Sequence, residues 1–351
     1  MNYKPAILVL ILFLAGCAEK ERTSEHEVKN LELTGRKVIS GENLLDPFTM
    51  QLYDSVLILG NLKGTPILEL YNLHTGLPIK KTLTNGRGPL EVLAVGSIEV
   101  DEASGHFFVY DLLGKKFLRY DLDKLMTDPS YSPELFKNLK DLNAPVEKVH
   151  IFKNDLIGES SVKEGRIAVL NSDLSVKSFK LAFPSKLDPK LSDRANIVLH
   201  NSTLSISPDG SHLGLATHMS GLVDLLSISG EKIDSVWSSP RVSNIDYILM
   251  PISDAGDVQL FFTESSPLMY VDVKATDKFF YGAFSGKSSK TAKDYEFADT
   301  IKAFSWDGKL EIKYHVTPAV RRLAVSNDDK KIYGVSINEE GEYEVVVFTL
   351  D

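Results

Sequence analysis

Short apolar segments separated by polar turns recur along most of this chain. The segments Asp54–Leu59, Ile67–Asn72 and Pro78–Leu83 are rich in branched and aromatic residues, and polar stretches at 61–64 and 74–76 separate them. Short strands bounded by Gly, Asn and Pro residues are typical of all-β domains. The pattern therefore predicts antiparallel strands joined by tight turns.

These segments group into six larger units with a period of about 35 to 55 residues, which is the spacing of propellers and solenoids. After the first unit, the others cover residues 95–121, 146–183, 204–237, 269–316 and 322–350. Polar turns such as 207–210 join neighbouring strands, as in an antiparallel meander. Because a single meander leaves both faces exposed, packing six of them around an axis is the arrangement that buries them. The sequence predicts an all-β, six-bladed β-propeller.

The sixth unit shows one strand fewer than a complete blade. The alternating segment Leu31–Ile39 can supply the missing strand and close the ring, which would protect an otherwise unpaired edge. Two short helical insertions are also expected. Ser132–Leu139 begins with a Ser cap and a Pro in the first turn, and Pro184–Asn196 is the second candidate.

The N-terminal region carries an export signature. Its apolar core, Ala6–Leu14, is too short to span a bilayer, and Leu14-Ala15-Gly16-Cys17 resembles a bacterial lipobox. We expect a signal peptide over residues 1–16, an acylated Cys17, a charged tether over 17–30 and the propeller over 31–351. An ordinary secretory signal, or a cytosolic protein with an apolar start, is the alternative.

The composition limits the kinds of site, the binding partners and the cellular location that we expect for this chain. Cys17 is the only cysteine, so a disulfide framework and thiolate metal sites are excluded. The net charge is −9 with no basic stripe, so nucleic acid is not an expected partner. The membrane would be contacted through the acyl chains of Cys17 alone. We expect a monomer in the bacterial cell envelope, at the outer rather than the inner membrane because Ala18 is not the Asp of inner-membrane retention signals.

Four strings of this sequence are similar to those of the TolB-like six-bladed β-propeller lipoproteins of Bacteroidota. They are the turn Asn85–Val92, the strand Phe107–Asp111, and the later segments Tyr281–Gly286 and Ile301–Lys309. The resemblance covers most of residues 31–351 and implies the same propeller in an exported lipoprotein. It implies little about activity, because members of the family are largely of unassigned function.

The turn Gly86-Arg87-Gly88-Pro89 is the sharpest local feature. Two glycines that allow unusual backbone angles, followed by a proline, would hold Arg87 and Glu91 rigidly near a blade junction. Arg87 either binds an anionic group of a partner at the channel or pairs with Glu91 inside a tight turn. Asp111 ends an apolar strand, where it is either bonded to backbone donors at the junction or part of a binding, metal or catalytic site.

Signatures of catalysis are missing from the sequence. It has no Walker ending, no Gly-x-Ser-x-Gly elbow and no zinc-type pairing among its eight histidines. Four histidines near strands could still converge from different blades, namely His150, His200, His212 and His218. We therefore predict no catalytic residue, no metal ligand and no cofactor.

Two functions are compatible with these features. The first is a non-enzymatic binding or scaffolding module for a protein, peptide or glycan of the envelope. The alternative is a calcium-dependent lactonase or esterase with Asp, Asn and Glu ligands on the propeller axis. In addition, three tripeptides resemble periplasmic O-glycosylation sites of Bacteroidota, at residues 54–56, 234–236 and 299–301.

Overall fold

The computed structural model of the protein describes residues 27–40, 44–62, 64–142, 144–152, 155–242, 245–251 and 258–350. Seven sheets form within these ranges, and six of them have four or five strands. These six are the blades of a propeller, which confirms the predicted all-β fold. The predicted signal peptide, Cys17 and most of the tether lie outside the described residues.

The first three blades each contain four consecutive strands. Blade 1 consists of β3 (Pro47–Tyr53), β4 (Val56–Asn61), β5 (Leu68–Asn72) and β6 (Pro78–Thr82). Blade 2 consists of β7 (Val95–Asp101), β8 (His106–Asp111), β9 (Lys116–Asp121) and β10 (Glu134–Asn138). Blade 3 consists of β11 (Val146–Phe152), β12 (Asp155–Val162), β13 (Gly165–Leu170) and β14 (Val176–Lys180).

The remaining blades follow the same order from the axis outward. Blade 4 consists of β15 (Ser202–Ile206), β16 (His212–Thr217), β17 (Val223–Ser229) and β18 (Lys232–Ser238). Blade 5 contains β21 (Leu268–Ala275), β22 (Phe279–Lys287), β23 (Ala298–Ser305) and β24 (Leu310–Val320). Blade 6 contains β25 (Arg322–Val325), β26 (Lys331–Ile337) and β27 (Tyr343–Thr349).

Two N-terminal strands complete blades 5 and 6. Strand β1 (Lys29–Thr34) pairs in parallel with β24 as a fifth strand, and β2 (Arg36–Ile39) pairs antiparallel with β27 as the fourth strand of blade 6. The expected closure by the N-terminal segment is therefore confirmed, although two blades share the segment. Ile39 is buried and belongs to the core between blades 6 and 1.

The cores lie between neighbouring blades. In blade 1, all six residues of β4 are buried, so this strand has no solvent-facing side. Ile58 of β4 and Leu118 of β9, for example, belong to one apolar cluster that joins blades 1 and 2. Full burial of one such side chain stabilises the fold by about 1.5–3 kcal/mol. Repetition of these contacts around the axis makes each blade depend on its two neighbours.

The helical prediction for Ser132–Leu139 is wrong. Residues Glu134–Asn138 form β10, the outermost strand of blade 2, because the edge of β9 offers unpaired backbone groups. Phe136 packs on Phe108 with ring centroids 4.8 Å apart, so tertiary contacts outweigh the local helix-start signal. The helix of this insertion is α1 (Leu122–Thr127), which Asp121 caps.

A second insertion lies beside blades 3 and 4. Helix α2 (Asp193–Leu199) begins after the cap Ser192, so it overlaps only the end of the helix expected within 184–196. A two-stranded hairpin, β19 (Tyr247–Pro251) and β20 (Val258–Phe262), precedes blade 5 and packs on α2. In the ranges that the structure describes, neither helix nor any other is long and apolar enough to cross a membrane.

Candidate functional site

The innermost strands of all six blades surround a central cavity of about 360 Å³, here called the channel. Charged side chains of both signs line its wall, contributed by different blades: Glu99, Lys148, Glu159, Asp272, Lys274, Glu296, Arg321 and Arg322. A preformed concave site with convergent polar groups is the usual form of a ligand-binding site. The channel is therefore the strongest candidate in this part of the chain.

His150 stands at the centre of an ionic cluster on the channel wall. Its Nδ1 lies 2.8 Å from Oε1 of Glu99 on blade 2, and its Nε2 lies 3.3 Å from Oε1 of Glu159 on the adjacent strand β12. Lys148, two residues earlier on β11, places its Nζ 3.6 Å from Oε2 of Glu159. Both nitrogens of His150 thus face carboxylates, which favours the doubly protonated imidazolium.

Burial and charge oppose each other in this cluster, and charge prevails. Burial alone would lower the pKa of His150, but the negative charge of Glu99 and the bonds to both carboxylates raise it to about 9. Burial would likewise raise the pKa of Glu159, yet Lys148 and His150 lower it to about 2. The pKa of Glu99 is also lowered, because His150 outweighs its burial. At neutral pH two cations balance two anions here.

Lys274 is the exception among these charged groups. It is half-buried and lines both the channel and a second cavity of about 640 Å³, where the innermost strands end. Glu99 also lines both cavities, and the charge of Lys274 acts on this carboxylate from a distance. Within the described residues, the Nζ of Lys274 forms no ion pair or hydrogen bond. Its charge is available to a ligand at the point where the two cavities meet.

Of the four histidines that sequence reasoning considered together, two meet. His218 lines the channel with His150, donates from Nδ1 to the Tyr270 carbonyl at 2.8 Å, and contacts the Thr203 hydroxyl through Nε2 at 3.2 Å. Burial lowers the pKa of His218, so it is neutral beside a charged neighbour. His212 instead stacks on Trp306 at 4.7 Å, and His200 lines a separate cavity.

Arg322 ties three blades together at the opposite wall. Its Nε donates to the Phe48 carbonyl of blade 1, and its Nη1 donates to the Val271 carbonyl of blade 5 at 3.3 Å. Burial lowers the pKa of this guanidinium, while Asp272 opposes the shift. Asp272 also accepts a hydrogen bond from the backbone N–H of Leu323 at 2.8 Å. The guanidinium of Arg322 therefore donates to the protein backbone, whereas the ammonium of Lys274 has no such bond within the described residues.

The Gly-Arg-Gly-Pro turn lies in the connection from blade 1 to blade 2 and does not line the channel. Arg87 is exposed, while Glu91 accepts a hydrogen bond from the Gly88 backbone N–H at 2.7 Å instead of pairing with Arg87. Neither glycine has a positive φ. The requirement at Gly86 is for space, because a Cβ there would lie 2.0 Å from Oε2 of Glu91.

Asp111 is fully buried under the same turn. Its Oδ1 accepts from the backbone N–H groups of Leu93 and Ala94, each at 3.2 Å, and of Gly114 at 2.9 Å. Lys116 lies 3.9 Å from Oδ2 and donates to the Gly88 carbonyl at 2.6 Å. The contacts are those of a blade junction, and a partner-binding role for Asp111 stays a prediction.

Sequence reasoning named His150 and His218 but missed the other charged residues that form the channel wall. Lys148 and His150 alternate along β11 and therefore share one face, as Ser97 and Glu99 do on β7. Charged residues that alternate along an otherwise apolar strand could have indicated the channel wall. This signal becomes usable only when the innermost strand of each blade is known. In the described ranges, no group of three or more His, Cys, Asp or Glu side chains is arranged to hold a metal ion.

Comparison with known structures supports the propeller architecture. A Bacteroides fragilis protein named as a predicted exported protein aligns with a TM-score of 0.55 at 10% identity, over 92% of this chain and 99% of that one. A member of the DUF4221 family from Bacteroides vulgatus gives 0.53 at 11% identity, over 91% and 96%. The calcium-binding protein regucalcin of Agrobacterium tumefaciens gives 0.51 at 11% identity, over 92% and 95%. At these identities the likeness shows the fold alone.

Comparison of the sequence with family profiles identifies the family, which the structural matches at low identity do not. No curated protein sequence matches the chain. The profile of the TolB-like 6-blade propeller-like family, however, matches residues 29–328, which includes five complete blades and the start of the sixth. This range also includes the four strings and every residue of the channel wall named above. The chain belongs to the TolB-like six-bladed propeller family.

Proposed function

We propose that this protein is an exported, non-enzymatic binding module whose channel receives part of a protein, peptide or glycan of the cell envelope. The observation that carries the proposal is the channel itself. Six blades converge on one cavity, and ion pairs such as those of His150 hold its charged wall in place. Such preorganisation reduces the entropy lost when a ligand binds.

Lys274 gives this binding site a chemical preference. A half-buried ammonium group without a partner in the described chain favours a ligand that carries a carboxylate or another anionic group. Lys148 forms an ion pair with Glu159, and Arg322 donates to backbone carbonyl groups, so these two cations are less available to a ligand. We therefore expect the anionic group of the ligand to approach the junction of the two cavities.

The test uses ligand-observed NMR with two defined probes, methyl glucuronide and an acetylated acidic tripeptide. Binding of either probe should weaken about tenfold in Lys274→Met, the loss of one charge-assisted hydrogen bond. Lys232→Met is the matched control, because Lys232 is exposed on the outermost strand of blade 4. Equal binding by both variants, or calcium-dependent turnover of a lactone or ester, would contradict the proposal.

Membrane attachment forms the second part of the proposal. The lipobox string supports export followed by acylation of Cys17, and the outer membrane is the proposed destination because Ala18 is not the Asp of inner-membrane retention signals. Cys17→Ala should release the protein from the membrane fraction and abolish acyl labelling. Unchanged fractionation and labelling of this variant would refute attachment through Cys17.

A further inference from the structure

A smaller cavity of about 50 Å³ lies between blade 3 and the end of helix α2, beside the channel. Arg166 of β13 and His200 line it, and Glu159 lines both this side cavity and the channel. Glu147 and Val198, which also line it, are exposed. Exposed residues therefore form part of the lining of the side cavity, and Glu159 lies in the wall that it shares with the channel.

Arg166, which lines this cavity, has two donors that the described part of the chain leaves unused. The side chain is 2% exposed, and its Nη1 is bonded to Asp224, which also accepts from the Ser238 hydroxyl. Nε and Nη2 are buried, and neither has a hydrogen-bond partner in the described part of the chain. This edge of the guanidinium carries two parallel N–H groups, a fork that matches two neighbouring oxygen atoms.

His200 presents the complementary acceptor. Its Nδ1 donates to the Asn196 carbonyl at 2.8 Å, so the proton is on Nδ1 and Nε2 carries a lone pair. Burial lowers the pKa of His200 to about 4, and the ring is therefore neutral at pH 7. Nε2 is buried and has no partner among the described residues. An occupant of the side cavity must therefore donate to His200 as well as accept from Arg166.

Charge argues against an anionic occupant. Asp224 already neutralises Arg166, and Glu147 and Glu159 belong to the cavity lining. A bound carboxylate would add a negative charge next to these groups, and it has no proton for His200. A primary amide can donate, but it offers a single oxygen to a fork that takes two. Two adjacent hydroxyl groups provide both acceptors and a donor without any charge.

We propose that the side cavity is a sugar-binding subsite. Two neighbouring hydroxyl oxygens of a glycan accept from Nε and Nη2 of Arg166, and one of these hydroxyls donates to Nε2 of His200. A buried water needs about 10–15 Å³, so 50 Å³ admits the diol edge of a sugar but not its whole ring. Val198 at the rim offers apolar contact to the remaining C–H groups.

This inference rests on the proposed function, because it assigns a glycan to the binding module. The probes are neutral methyl glycosides of mannose, galactose and glucose, titrated into the full chain by calorimetry and ligand-observed NMR. At least one should bind, and removal of one hydroxyl of its diol should weaken binding about tenfold. Arg166→Gln should cause a similar loss, whereas Arg194→Gln, an exposed site on α2, should not.

Arg166→Gln leaves Asp224 buried without its partner and can unfold the chain. The double variant Arg166→Met with Asp224→Leu removes both charges, a replacement that proteins often tolerate, and it should lose glycoside binding while remaining folded. The inference is overturned if no glycoside binds, if the variants bind equally, if acetate or an acetylated asparagine amide binds in preference, or if a soaked crystal shows water only. Binding of methyl glucuronide that depends on Lys274 would then persist, whereas failure of the proposed function would remove it.

Discussion

Asp111 and Glu159 are both buried carboxylates close to the start of a blade, but different groups stabilise their charges. Three backbone N–H groups within residues 93–114 surround Asp111. Glu159 instead interacts with His150 and Lys148, and His150 in turn binds Glu99 of another blade. Backbone donors do not titrate, whereas an imidazolium does. Asp111 therefore belongs to a fixed joint, while the charge of the channel wall depends on pH.

Opening the ring should disrupt both the Asp111 junction and the channel wall. Deletion of residues 29–39 removes the partner of β27 and the buried Ile39, and we expect a loss of more than about 5 kcal/mol, comparable with the stability of a whole domain. Thermal unfolding followed by circular dichroism measures this effect. Lys37→Ala, an exposed position on β2, is the control. An unchanged melting temperature after the deletion would show that the ring is closed elsewhere.

Asp111→Ala should be the most damaging single substitution in this comparison. It leaves three backbone donors without an acceptor and Lys116 without its nearest carboxylate, for an expected loss of about 3–5 kcal/mol. Asp111→Asn keeps an acceptor oxygen and should lose less. Denaturant unfolding with Asp141→Ala, an exposed control, measures the difference. If Asp111→Ala proved as stable as the control, the junction role would be refuted.

The channel cluster should respond to alkaline pH. A pKa raised from 6.5 to about 9 means that folding stabilises protonated His150, so the contribution is complete below pH 6.5 and is lost as pH rises through 9. This rise corresponds to about 3 kcal/mol at most. Unfolding free energies measured between pH 6 and 10 should fall in the wild type and show a smaller fall in His150→Gln. Parallel slopes would mean that His150 is neutral in the fold.

Arg87→Ala should have the smallest effect on stability, within about 0.5 kcal/mol, because the side chain is exposed. Glu91→Ala should be worse by about 1 kcal/mol, since the Gly88 N–H loses its acceptor. Chemical denaturation of the two variants distinguishes a structural role of Arg87 in the turn from a role in binding a partner. If Arg87→Ala is as destabilising as Glu91→Ala, Arg87 has a structural role, and the prediction that it binds a partner's anionic group is weakened.

Sequence reasoning succeeded where interactions are local or repeated. The strand pattern predicted the blades, and the segment 31–39 predicted closure, because period-two alternation reflects burial directly. Most of the channel wall was missed because its residues, such as Glu99, Lys148 and Lys274, come from different blades and are distant in sequence. Strand β10 was misassigned because its pairing with β9 depends on an edge that the segment itself does not encode. The spacing of Arg166, His200 and Asp224 likewise gives no sign that they meet.

The division of the N-terminal segment between two blades has a mechanical consequence. A force applied to the chain before Lys29 reaches β1 first, and β1 is attached to β24 by a ladder from Lys29 to Thr34. Strand β2, which closes the ring, follows only after Gly35, where a Cβ would lie 2.8 Å from the Phe348 ring. We therefore expect tension on the N-terminal segment to detach β1 from β24 before it reaches β2, so that the ring of blades stays closed.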